Sequence, residues 1–111
     1  MKKNRSEMLI KQFADYLLVE RGLSENTITS YSIDLNDFAE FIRNLDQSID
    51  SLEKAKYDDI AKYLAHLSNL ELASSTIDRK MDSLRMFYKF LTAERFISEN
   101  PTDMIEPLKS W

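Results

Sequence analysis

Apolar side chains recur every three or four positions over most of this chain, the spacing that places them on one face of a helix. Leu9, Ile10, Phe13, Tyr16, Leu17 and Val19 predict a first helix over about 6–20. Gly22, the single glycine, follows Arg21 just past its last turn and reads as a helix stop. Leu23 stands one place before the next start, positioned to staple onto Ile28. A second helix opens with Ser24 as N-cap and Glu25 in its first turn. Its apolar stripe is Ile28, Tyr31, Leu35, Phe38 and Ile42, with Ala39 alongside. A polar connector over 44–56 follows, in which Leu45, Ile49 and Leu52 are expected to tuck inward. Ile60, Tyr63, Leu64 and Leu67 mark a third helix from Tyr57 or Asp58 to Leu70. Ile77, Met81, Leu84, Tyr88 and Leu91 mark a fourth, from Ser74 or Ser75 to at least Thr92. Phe87 and Phe90 widen its apolar arc, as expected of a central helix or of one that meets something outside the chain. A short helix or turn then carries Phe96 and Ile97, before Pro101 and Pro107 each turn the preceding residue away from helical geometry.

Two of these helix starts resemble each other. Ser24-Glu25-Asn26-Thr27 and Ser74-Ser75-Thr76 are both small polar clusters leading into strongly packed runs. The first amides of a helix lack intrahelical acceptors, and they attract anions such as phosphates. Thr29 and Ser32 are weak helix formers on the side away from the stripe, so packing does not account for them.

Composition narrows the class. One Gly and two Pro give too little turn punctuation for a many-stranded fold, so the pattern predicts an all-α, compact bundle of four main helices with a short C-terminal helix or turn. The absence of Cys excludes disulfides and thiolate chemistry, and a single His makes a zinc site implausible; no metal or other cofactor is expected. No stretch approaches membrane-spanning length and no signal-like run follows Lys2, Lys3 and Arg5, so a cytoplasmic protein without membrane association is expected. The formal net charge of -4 weighs against indiscriminate polyanion binding. The charge is unevenly spread, however. Eight carboxylates against three basic residues lie between Asp34 and Asp59, whereas Arg79, Lys80, Arg85 and Lys89 outnumber Asp78 and Asp82 in the fourth helix.

The run Glu20-Arg21-Gly22-Leu23-Ser24-Glu25-Asn26-Thr27-Ile28-Thr29-Ser30-Tyr31-Ser32-Ile33-Asp34-Leu35 resembles the start of the core-binding domain of tyrosine recombinases. The likeness continues over Ser75–Leu91, at Asn100-Pro101 and at 105–107, so it covers nearly the whole chain. Within that family the chain looks most like the Xer recombinases and the phage-type integrases. The resemblance implies a SAM-like helical domain over 1–98 that forms half of a clamp on duplex DNA, with 99–111 beginning a linker to a catalytic domain. It implies sequence-specific binding in DNA integration or recombination. The implied partners are duplex DNA, the catalytic domain of the same chain, and neighbouring protomers in a tetramer. Carried over, the DNA-facing positions are Asn26, Thr27, Thr29 and Ser30, with Ile33 near them, on the second helix, and Ser75, Thr76, Arg79, Lys80 and Ser83 on the fourth. The catalytic set, including the tyrosine nucleophile, is implied to lie outside these residues, so this segment is not itself expected to be an enzyme.

Taken individually, Ser24 reads as a cap, and Thr27 as a first-turn residue that is also suited to DNA contact. Arg79 lies off the core stripe one turn into its helix, where arginine can grip phosphate or read guanine. Lys80 can lay its stem on apolar surface and extend its ammonium outward. Arg85 and Lys89, four apart, either meet phosphates or balance Asp82. Tyr31 and Tyr88 fall on packed stripes, which disqualifies them as nucleophiles. His66 reads as a surface or half-buried residue, and Asp58 and Asp59 as helix-start carboxylates rather than a metal pair. Phe87 belongs to the core, while Met86, Phe90 and Trp111 are candidates for contact with other protein. The rival reading is an all-helical protein-interaction module without DNA binding, favoured by the acidic charge and the broad apolar face of the fourth helix.

Overall fold

The computed structural model describes residues 5–105. The expectations placed on Lys2, Lys3, Pro107 and Trp111 lie outside the described residues. The chain is all-α, with four main helices: α1 (Arg5–Val19), α2 (Glu25–Leu45), α3 (Tyr57–Asn69) and α4 (Ser74–Ala93). One short 3-10 turn, Leu52–Lys54, breaks the connector, and no strand occurs among the described residues. The chain divides into two compact units, one ending at Lys54 and the other beginning at Ala55.

In the first unit α1 packs against α2. Leu9, Phe13 and Leu17 of α1, and Leu35, Phe38 and Ile42 of α2, are fully buried; of the other predicted stripe positions Tyr16, Ile28 and Tyr31 are half-buried, and Val19, at the end of α1, is exposed. The rings of Phe13 and Tyr31 lie 6.4 Å apart, tilted against each other. α1 ends where Gly22 adopts a φ of +63°, a conformation that costs a side-chain-bearing residue more than glycine. The reversal lets the Leu23 amide donate to the Leu17 carbonyl at 3.1 Å. The connector returns to the start of α1: the Leu52 amide donates to the buried Ser6 hydroxyl at 2.9 Å, and Arg5 pairs with Glu53 beside it. This hydrogen bond holds Arg5 further above its already high ordinary pKa. Leu52 is buried as expected, but Leu45 is not. It closes the last turn of α2 with 41% of its surface exposed, because the chain leaves the helix at Asp46 before that side chain meets a neighbour.

In the second unit α3 packs against α4. Ile60, Tyr63 and Leu67 face inward from α3, and Ile77, Met81, Leu84, Phe87, Tyr88 and Leu91 from α4. Asp59 accepts from the Lys56 amide at 2.8 Å, the acidic half of a capping box that fixes the start of α3. His66 is exposed and stacks on Tyr63, with ring centroids 6.3 Å apart. Phe90, expected on the outer arc, is 7% exposed and belongs to the interior; the apolar arc of α4 is wide because the helix is enclosed on that side too. After α4 the chain turns at 94–95 and bends at Phe96, where a short helix or turn was expected, and a further turn follows at 101–104. Its Asn100 Oδ1 accepts from both the amide and the hydroxyl of Thr102, at 2.9 and 2.7 Å, and Thr102 and Ile105 are buried. Residues 100–105, expected as the beginning of a linker, thus contribute to the packed unit.

Candidate nucleic-acid interface

The two similar polar clusters start their helices by different means. At α2 the expectation for Ser24 holds: its backbone is extended and its Oγ accepts from the Thr27 amide at 3.2 Å. The Ser24 hydroxyl also donates to Thr27 Oγ1 at 3.0 Å, so the first turn satisfies itself. At α4 the N-cap is Ala73, which has no side chain to offer. Thr76 and Ile77 donate to the Ala73 carbonyl at 3.0 and 3.1 Å, while the amides of Ser74 and Ser75 precede any carbonyl of their own helix. The more open anion-attracting start is therefore that of α4.

The carried-over positions distribute as follows. On α2, Asn26 and Thr29 are exposed and Ser30 is half-buried, and their spacing places the three on one face with the exposed Ile33. Thr27 is half-buried and lies a third of a turn away, engaged with Ser24. On α4, Ser75 and Arg79 are exposed one turn apart, with Thr76 and Lys80 half-buried beside them. Ser83 differs. It is fully buried, and its hydroxyl donates to the Arg79 carbonyl at 3.2 Å, the bond a serine makes when enclosed within a helix. A hydroxyl so placed lies within the packed unit, unlike the other positions of α4 in the set.

Two cations beyond that set line a cavity in the second unit. Arg85 and Lys89 lie beside the 100–105 turn along a groove of about 570 Å³. Arg85 gives one end nitrogen, Nη1, to Asp82 at 2.8 Å, and its Nε–H is buried without an acceptor among the described residues. The i,i+4 spacing of the cations was visible in the sequence. Asn100 was marked only by the family likeness; its place across the groove was not legible, because the turn that brings it there is tertiary.

Neither Tyr31 nor Tyr88 is presented as a nucleophile. Tyr88 is wholly enclosed, and burial, with the nearby Asp59 charge, holds its phenol well above its usual range. Tyr31 is half-buried against Phe13. Among the described residues no group of carboxylates and histidine could hold a metal ion, and no helix is long and apolar enough to cross a membrane.

The chain is thus an all-α domain whose second and fourth helices open on polar turns, with cations along the fourth. Residues 10–95 match the family described as phage integrase, N-terminal SAM-like domain, and the chain belongs to it. It is similar to the tyrosine recombinase XerC of Anoxybacillus flavithermus, 42% identical over 89 residues, which is 80% of this chain and 29% of that protein. It is also similar to the XerC of Listeria monocytogenes serotype 4a, 39% identical over 102 residues, 92% of this chain and 33% of the relative. The XerC of Bacillus subtilis is 36% identical over 96 residues, 86% of this chain and 31% of the relative. The chain spans about a third of the length of the curated relatives it matches. What it represents is their N-terminal, non-catalytic domain. No solved structure matches the chain significantly.

Proposed function

We propose that this chain binds duplex DNA as the N-terminal clamp domain of a site-specific tyrosine recombinase. The observation that carries the reading is the start of α4: a helix opening with no side-chain cap, with Ser75 exposed on it and Arg79 one turn further on. Oriented amides attract a backbone phosphate, and an arginine on the adjacent turn can grip a second phosphate or read a guanine edge. Asn26, Thr29 and Ser30 supply short polar side chains on α2, of the kind that hydrogen-bond base edges and phosphates. The reaction itself belongs to the rest of a longer recombinase. There the domain holds the half-site while a catalytic domain cleaves, and neighbouring protomers complete a tetramer.

A mobility-shift titration at low salt tests this reading, using a recombinase half-site and an unrelated duplex. The expected result is weak binding without cleavage, with a preference for the half-site, and loss of most affinity in Arg79→Ala. Failure to shift any duplex overturns it. The rival, a protein-interaction module, draws on Leu18 and Val19, exposed by 52% and 76% at the end of α1. It predicts no duplex binding and no effect of Arg79→Ala.

A further inference from the structure

The groove beside the second half of α4 has a chemistry that the packing of its unit does not explain. Arg85 is anchored by Asp82 at Nη1, which leaves the other edge of the guanidinium, Nε and Nη2, with no hydrogen bond to the described residues. Nε–H is buried as well, and a buried donor without an acceptor is costly. That edge is the fork which meets two oxygens of one oxyanion side by side. Lys89, one turn on, is exposed on the same groove and has no ion-pair partner among the described residues. Across the groove Asn100 turns its carbonyl oxygen to Thr102, so its amide nitrogen is the end still able to donate. Asp103 is the one carboxylate on the groove wall among the described residues.

We propose that this groove is a phosphate-binding site, with Arg85, Lys89 and Asn100 as its donors. A guanidinium edge, an ammonium and an amide offer more hydrogen bonds than the two oxygens of a carboxylate can take, and a phosphate's oxygens use them better. The groove, at about 570 Å³, has room for a phosphodiester with its flanking sugars. An oxyanion bound at this edge gives the Nε–H the acceptor it lacks. The phosphate comes from a duplex backbone or from free phosphate. The first source rests on the proposed DNA binding; the second does not.

The test is a titration of the intact chain, following the Arg85 Nε–H resonance by NMR, first with inorganic phosphate and then with the half-site duplex. It is paired with duplex affinities of Arg85→Gln, Lys89→Gln and a control, Lys62→Gln, across a salt series. The expected result is a saturable shift of the Nε–H signal with both probes, and displacement of inorganic phosphate by duplex. Each groove variant should weaken all duplexes alike, and each lost phosphate contact should flatten the slope of log affinity against log salt by about one unit. The control should do neither. If the duplex binds but the Nε–H signal stays still and the variants match the control, the site is refuted and the DNA reading stands. If no duplex binds yet inorganic phosphate shifts the signal, the site stands as a free-anion site and the DNA reading fails. Silence toward both probes refutes the site whatever the variants do, and it needs no variant to fold.

Discussion

Ser6 sits in the first turn of α1, where a serine would ordinarily face water, yet it is buried and accepts the Leu52 amide at 2.9 Å. Ser6→Ala takes that acceptor from a buried donor and should cost about 1–3 kcal/mol, read as a lower urea midpoint with an unchanged slope. Nothing near Ser6 in the chain announces this role, because its partner lies 46 positions away. Ser24 was legible for the opposite reason: its partner is the amide three residues on. The burial of Ser83 was not legible, because spacing places it near Arg79 but does not reveal that the helix is enclosed on that side. Tyr88 carries a second prediction at this scale. Its phenol is held well above its ordinary range, so the folded state keeps the proton at pH values where the unfolded chain has released it. This contribution is fully present below a pH of about 10 and falls as pH rises toward the folded value. Wild type should therefore lose stability in alkali more steeply than Tyr88→Phe, the slopes differing by the equivalent of one proton in denaturation curves taken across that range.

Helix α4 was the easiest element to find and the hardest to finish from sequence. Its apolar period predicted its extent to within a residue or two, because a buried stripe leaves a strong mark. Its opening was less legible. Ser74 and Ser75 both suit an N-cap, but the cap position fell on Ala73, so both serines lie inside the first turn. This makes the start of α4 both less stable and more receptive to an anion than the start of α2. The two properties can be separated. Ala73→Asp supplies a capping carboxylate and should stabilise the domain by about 0.5–2 kcal/mol in chemical denaturation. If a phosphate approaches those amides, the same substitution places a negative charge in its way and weakens duplex binding. Ala73→Ser, a neutral cap, should stabilise with a smaller loss of affinity. A gain of stability in both variants with affinity unchanged in both would remove the α4 amides from the interface.

On the scale of the whole molecule the difficulty is charge. A chain of net charge -4 is proposed to bind the most highly charged polyanion in the cell. The two facts are compatible because electrostatic interactions across water fade over a Debye length, about 10 Å at 0.1 M salt. Cations at contact act at full strength, while carboxylates elsewhere act mainly on the approach of the duplex. That asymmetry was visible along the sequence as an acidic stretch ending at Asp59 and a basic fourth helix, and the family likeness gave it a direction. The placement of Arg85, Lys89 and Asn100 on one groove was not visible, since it depends on where the chain turns after α4. The background carboxylates can be tested without touching a proposed contact. Glu20 and Glu40 are exposed; Glu20 follows the last residue of α1, where a negative charge opposes the helix dipole and is safely removed. Glu20→Gln with Glu40→Gln changes the net charge from -4 to -2. At low salt this double variant should associate with duplex severalfold faster than wild type, with the dissociation rate little changed. The advantage should shrink as salt rises and vanish near 0.5 M, where the screening length is a few ångströms, about 4 Å. A gain that persists at high salt would mean that the carboxylates lie at the interface itself, and that they are contacts rather than background charge.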